Sequence, residues 1–371
     1  MGVWGRVGVV GVLLLPLAAQ TPAWRAEVER LKAKGDARGA LAVLEKAPSG
    51  ATVEDEKGFL LAVLGDRGAA ILHFRSAVKM NPGLPSGWFH LGVALWLEGT
   101  RDEALDALRR ATKLAPGQAD YQYRLGQAAQ ELGLNEEAIA AYRKVPTTDA
   151  RNRLAFLLIE TGQAGEGLRI AARILKENPK DLPALANTGF AYLQLADVGK
   201  ALAAYQRAAE VDPKSAPIQY NLGLSYKQKD DIETAKKHLL AALALDPKLV
   251  EAYHTLGVAY WQNGEFPEAA RAFEAAVALD PSYADAWAMY GTVLRQQGQR
   301  KDAEKALRRA IELKPEDPGP YSQLAQVLRS EGRNEESKAM LAEAAQRKAA
   351  KEKEQKSMFD RGAQVRPRSV Q

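Results

Sequence analysis

The sequence has no cysteine and only four histidines in 371 residues. Without a thiol there is no disulfide, no thiolate nucleophile and no cysteine-ligated zinc. His73, His90, His238 and His254 are scattered, and none stands with another His, Asp or Glu in a metal-ligating motif such as H-E-x-x-H. Gly-x-Ser-x-Gly, P-loop and dinucleotide-binding glycine patterns are missing as well. Neither a catalytic residue, a metal nor a cofactor is therefore expected, and the chain reads as non-enzymatic.

An excess of one charge is also missing from most of the chain. The net charge is +5, but residues 345–371 hold eight Lys or Arg against three Asp or Glu, which accounts for the whole surplus. The body is close to neutral, so the high isoelectric point does not point to a nucleic-acid-binding face. The tail is interrupted by acids and has Phe359 as its one aromatic residue, which reads as a solvated end and not as a membrane or nucleic-acid anchor. Hydrophobic residues make up 46% of the sequence, ordinary for a folded protein.

Val7 to Ala19, after Arg6, is thirteen residues without a charge. A bilayer needs about 20 apolar residues, whereas this is the length of a signal-peptide core. Leu17-Ala18-Ala19 offers a cleavage site, so residues 1–19 are expected to be a signal peptide and the mature chain to be periplasmic or secreted. The alternative is an uncleaved N-terminal anchor. After cleavage no stable membrane insertion is expected. The absence of cysteine removes a lipoprotein anchor, and Arg6 breaks the myristoylation pattern.

What is present is a period. The stretch Val250 to Pro281 reappears 34 residues earlier from Ala216 and 34 residues later from Ala284. Numbered from Val250, bulky residues fall at positions 4, 7 and 11 (Tyr253, Leu256, Tyr260) and small ones at 8 and 20 (Gly257, Ala269). An aromatic stands at 24 (Phe273), alanine at 27 (Ala276) and proline at 32 (Pro281). Positions 4, 7, 8 and 11 share one face of a first helix, and 20, 24 and 27 one face of a second. The small pair lets the helices approach closely while the aromatics fill the space beside them. Gly264 suits the left-handed end of the first helix, and Asp280-Pro281 stops the second.

This pattern resembles the tetratricopeptide repeat (TPR) family. Ten units are expected, starting near 21, 51, 85, 119, 148, 182, 216, 250, 284 and 318. The resemblance implies an all-α fold, a right-handed α-solenoid (superhelix) of about ten hairpins over residues 20–345. Beyond it, residues 346–371 are expected to extend the last helix as a polar cap and, from about Ser357, to form a disordered tail. The second unit is odd in placing Lys57 at the apolar position 7, and the fifth in having Gly167 at 20 and Ala171 at 24. The first and fourth are short, so their second helices should be trimmed. That trimming either bends the stack near residues 144–150 or simply shortens a loop.

In the family, positions 2, 5, 6, 9, 12 and 13 of the first helices tend to line a concave groove. The matching residues here that suit ligand contact are Phe89, Trp96, Tyr123, Arg124, Arg153, Phe156, Asn187, Phe190, Tyr220, Asn221, His254 and Trp261. Asn187 and Asn221 stand at position 6, where peptide-binding members carry asparagines that hold a ligand's backbone, since an amide side chain both donates and accepts. Arg124 and Arg153 continue that row and suit carboxylates. Single aromatics such as Phe156 and Phe190 have an equally good account as packing between hairpins. The carboxylate-clamp arrangement of the family, with Lys at 5 and Asn at 9 of one repeat, is absent.

The expected function is a scaffold that binds peptide segments of partner proteins in its groove, in the cell envelope. The competing reading is a regulatory or substrate-docking subunit of an enzyme such as a glycosyltransferase, with catalysis on a separate chain. The first expectation to test is the leader. Intact-mass measurement on protein from the native host should find a chain lacking residues 1–19, and a chain starting at Met1 would establish the uncleaved anchor instead.

Overall fold

The computed structural model describes residues 22–364, so the leader expected at 1–19 lies outside the described residues. Among the described residues there are twenty α-helices and no strand. They form ten antiparallel hairpins divided into two compact units between Glu177 and Asn178. Each unit is a five-hairpin α-solenoid.

The first unit pairs α1 (Ala23–Ala33) with α2 (Ala37–Glu45), and α3 (Ala51–Val63) with α4 (Arg67–Met80). It continues with α5 (Pro85–Glu98) and α6 (Arg101–Leu114), α7 (Ala119–Glu131) and α8 (Asn135–Tyr142), and α9 (Thr148–Glu160) and α10 (Ala164–Glu177). The second unit holds α11 (Leu182–Gln194) and α12 (Val198–Val211), α13 (Ala216–Gln228) and α14 (Ile232–Leu245), and α15 (Val250–Gln262) and α16 (Phe266–Leu279). It ends with α17 (Ala284–Gln296) and α18 (Arg300–Leu313), then α19 (Pro318–Ser330) and α20 (Asn334–Gln364). From the second hairpin on, each first helix starts at the residue where the 34-residue template begins. The second helices of the two short units are 9 and 8 residues long in α2 and α8, against 14 in α4 and α6.

The turns follow from local chemistry. At the end of α15, Gly264 adopts φ 78°, and the Glu265 amide reaches back to the Tyr260 carbonyl at 2.9 Å, which closes the helix. Aspartates then cap second helices. Asp66 accepts from the Ala69 amide at 3.0 Å and Asp231 from the Thr234 amide at 3.2 Å. At the far end of α16, Asp280 accepts from the Ser282 amide at 2.8 Å and turns the chain towards the next hairpin.

The second to ninth hairpins are each held by a near-collision at a glycine. A Cβ on Gly257 would lie 2.8 Å from the ring of Phe273, itself fully buried. Gly189 stands the same way against Tyr205 at 2.6 Å, and Gly58 against Phe74 at 2.6 Å. In other hairpins a leucine takes the aromatic's place, as with Gly92 and Leu108 at 2.8 Å. The fifth hairpin inverts the pair: Ala155 stands on the first helix and Gly167 on the second, and a Cβ on Gly167 would meet the Ala155 carbonyl at 2.7 Å and Ile159 at 2.5 Å. Ile159 and Ala171 are both fully buried. The apparent weakness of that repeat is a swap of small residues across one contact.

Between hairpins the core is continuous within each unit. Ala62, Phe74, Leu91 and Ala104 share one cluster in the first unit, and Leu294, Leu307, Leu324 and Leu328 another in the second. Lys57, at a position that is leucine in most other repeats, sits 3.2 Å from Glu54, which also bonds His73 Nδ1 at 2.8 Å. Burial pushes the Glu54 carboxyl up, but the bonds from His73 and Lys57 outweigh it and hold it below its ordinary value. A polar cluster thus replaces an apolar contact.

At the C-terminal end α20 runs 31 residues to Gln364, past Ser357, where the expected tail begins; residues 365–371 of that tail lie outside the described residues. The end of this helix lacks an apolar period, but Ala, Lys, Glu and Gln are strong helix formers and need no packed face to continue a turn. Among the described residues no helix is long and apolar enough to cross a membrane.

The close approach makes a prediction whose sign separates two effects. Helix propensity alone has Gly257→Ala stabilising by about 1 kcal/mol. Overpacking against Phe273 costs about 1–3 kcal/mol, so a net loss is expected. Gly165→Ala, where nothing lies within 4 Å of the added carbon, should instead stabilise. Chemical denaturation of both variants checks this, and a gain for Gly257→Ala would remove the contact from the account.

Candidate functional site

The residues not needed by the hairpin core gather on the first-helix faces, and each unit has its own set. In the first unit, α5, α6 and α7 enclose a cavity of about 120 Å³ lined by Val93, Trp96, Leu97, Leu108, Arg124, Gln127, Ala128 and Glu131. Trp96 is half-buried, with the Arg101 guanidinium 4.1 Å above its ring. Arg124 donates to Gln127 Oε1 at 2.9 Å, and Gln127 Nε2 donates in turn to the Tyr123 hydroxyl at 3.3 Å. Two of the expected groove residues, Trp96 and Arg124, are thus brought to one cavity.

Arg153 is engaged differently. Its Nε donates to the Tyr123 hydroxyl at 3.1 Å and to Asp149 Oδ2 at 3.2 Å, while the Tyr123 hydroxyl donates to Asp149. The network knits α7 to α9 and holds the cation that the sequence offered to a ligand. Tyr142, beneath it, has its phenol pushed up to about 12 by burial. Phe156 is exposed at 38%. Phe89 is not presented on this face: only 7% exposed, it stacks on Tyr121 of the next hairpin with ring centroids 4.3 Å apart.

In the second unit, Asn187 is buried at 7% exposure, whereas Asn221, one hairpin on, is half-buried. Phe190 is half-buried beside Asn187 on α11. Tyr220 is half-buried too, its phenol raised by burial while a hydrogen bond with Thr255 opposes the shift. Trp261 Nε1 donates to Gln296 Oε1 at 2.9 Å, tying α15 to α17. His254 packs edge-on against Phe273, with centroids 5.7 Å apart, and lies 5.0 Å from the Tyr283 ring. Its Nε2 is buried and makes no hydrogen bond among the described residues. Burial pushes the imidazole below its ordinary 6.5, and Lys227 adds to this while Asp285 opposes it.

Two features escaped the sequence reading. Lys227 on α13 is half-buried, and burial pushes its ammonium down; its place at position 12 was readable, its burial was not. His90 Nδ1 lies 2.7 Å from Asp55 Oδ1, and Asp55 is 5% exposed. These two residues stand 35 apart in the chain, so no local motif betrays them. Among the described residues no three His, Asp or Glu side chains are grouped as a metal site.

Comparison with known families gives two matches. The model of the Cilia and flagella-associated protein 70 C-terminal domain, a TPR-containing domain, matches residues 163–366. A tetratricopeptide repeat model matches residues 58–118 and 98–153. Among solved structures, a crystal structure of MamA is 27% identical and covers 44% of this chain and 96% of its own, with a TM-score of 0.42. A second structure of MamA protein is 23% identical, covering 53% and 92%, with a TM-score of 0.36. YrrB, described as a TPR protein with an unusual peptide-binding site, is 22% identical over 49% of this chain and 96% of its own, with a TM-score of 0.40. No curated protein matches the chain.

The state of His254 predicts a pH effect. Folding lowers its proton affinity, so the unfolded chain takes up the proton first as pH falls. Its contribution leaves stability untouched above the ordinary value of 6.5 and erodes it below. Denaturation midpoints of the wild type should therefore fall more between pH 7.5 and 5.5 than those of His254→Gln; equal falls would mean that the imidazole is not held neutral.

Proposed function

This chain belongs to the tetratricopeptide repeat proteins, and on that premise we propose that it is a non-catalytic scaffold that holds segments of partner proteins against its first-helix faces. The observation that carries this is the chemistry of those faces. The glycine contacts set the spacing of the helices within the hairpins, and the first helices keep Trp96, Tyr123, Phe156, Tyr220, Asn221 and Trp261 with surface exposed, several of them also packed at the edge of the core. Aromatic anchors next to amide side chains match an extended peptide, which offers side chains in alternation and a donor and an acceptor at each residue. Export to the cell envelope belongs to the same proposal and rests on the leader sequence alone.

The two asparagines have different parts in this. Asn187, buried, supports the face from below, and Asn221 is the amide placed to meet a ligand's backbone. Tiled peptides from the exported proteins of the native host, probed with the purified chain from residue 20 onward, test the reading. Bound peptides should be weakened about tenfold by Asn221→Ala, the loss of one buried amide bond, at low and high salt alike. Leu240→Ala, on a second helix, should leave them bound. If no peptide binds, or if only the second-helix change removes binding, the proposal fails.

A further inference from the structure

The cavity of the first unit has a charge left over. Several arginines of the third to fifth hairpins are paired with carboxylates: Arg109 with Glu137 at 2.7 Å, Arg143 with Glu166 at 3.0 Å, Arg151 with Glu177 at 2.8 Å and Arg153 with Asp149 at 3.2 Å. Arg101 is stacked on Trp96 and reaches Glu131 at 3.5 Å, and Arg110 is stacked on Trp88 at 4.4 Å. Arg124 is the arginine that lines the cavity itself. It is half-buried and donates to the neutral amide of Gln127, and among the described residues no carboxylate pairs with it. The rest of the wall is Val93, Trp96, Leu97, Leu108 and Ala128, with Gln127 and with Glu131, whose carboxylate lies 3.5 Å from Arg101. A volume of 120 Å³ is of the order of the ~150 Å³ cavity that admits a benzene ring.

A cavity with a largely apolar wall, in which Glu131 is taken up by Arg101 and the Arg124 guanidinium has no carboxylate, selects an apolar side chain with a carboxylate beside it, and a guanidinium is built to grip a carboxylate with two parallel bonds. The cavity lies between the third and fourth of the unit's five hairpins, with further first helices on both sides of it. A chain held there has first-helix surface on either side and need not end in the site. In an extended segment residues i and i+2 face the same way, so one of them enters the cavity while the other meets Arg124.

We propose that this cavity is the anchor subsite for an internal, extended segment of a partner chain, which buries one bulky apolar side chain against Trp96 and sets an aspartate or glutamate within two residues of it on Arg124. The proposal rests on the peptide-binding reading above and gives it a ligand class.

A random library of peptides displayed between two fixed flanks, so that no free terminus is offered, is selected on the purified chain and on its Arg124→Gln and Trp96→Ala variants. The wild type should enrich sequences with a bulky apolar residue and an Asp or Glu within two positions. Arg124→Gln should lose the acidic preference and keep the apolar one, and its affinity for a selected peptide should fall about tenfold. That difference should shrink between about 0.05 M and about 0.5 M salt. Trp96→Ala should lose both preferences, with thermal midpoints of the two variants confirming that each is folded. Enrichment without an acid, or acid-containing peptides that Arg124→Gln binds as well as the wild type, overturns the subsite while leaving peptide binding in place. Selection that succeeds only when the library offers free C-termini overturns it in favour of a terminal carboxylate. If nothing is enriched in either format, the peptide-binding reading falls with it.

Discussion

The close approach of two helices within each hairpin is the constraint from which the rest follows. Gly257 facing Phe273, and its counterparts Gly58, Gly92 and Gly189, allow no side chain at the crossing and demand a large one opposite. That single contact sets the distance between the helices. The neighbouring apolar positions then have a fixed surface to present, and the clusters that run from one hairpin to the next within a unit are built on it. Where the contact is inverted, as at Ala155 and Gly167, the hairpin survives because the sum of the two side chains is kept.

Because the core is met at so few positions in each repeat, the outer positions of the first helices are left to other uses. Some are spent on structure. Phe89 disappears under Tyr121, and Arg153 is drawn into a network with Asp149 and Tyr123. Trp261 reaches across to Gln296 on the neighbouring first helix. Others keep part of their surface exposed: Trp96 and Arg124 at the cavity, Phe156 and Asn221 elsewhere on the faces. The division is physical. A groove residue covered by a neighbour one hairpin on is absorbed, and one that keeps exposed surface is left for the proposed partner.

The same distinction decides how much was legible in the sequence. Hairpin boundaries were, because they depend on residues a few positions apart: Asp66 caps the helix that begins beside it, and Gly264 turns the chain where it stands. Even here Ala196 and Asp230 take the left-handed conformation, at φ 58° and 65°, where other hairpins use glycine. The site was legible only as a row of positions. Which members of the row would be buried depended on partners about thirty residues away, as with His90 and Asp55 or Phe89 and Tyr121. A period marks the row and says nothing of those pairings.

The central claim is that each repeat separates its packing residues from its recognition residues. It is tested most directly by a substitution scan of the third to eighth repeats read out twice on the same variants, once for stability and once for binding of a selected peptide. The account predicts two sets with little overlap. Changes at the glycine–aromatic contacts should lower stability and affect binding only through it, and changes at Trp96, Arg124, Asn221 and similar positions should lower binding in a protein of unchanged stability. One common set, in which every change that weakens binding also unfolds the hairpin, would contradict it.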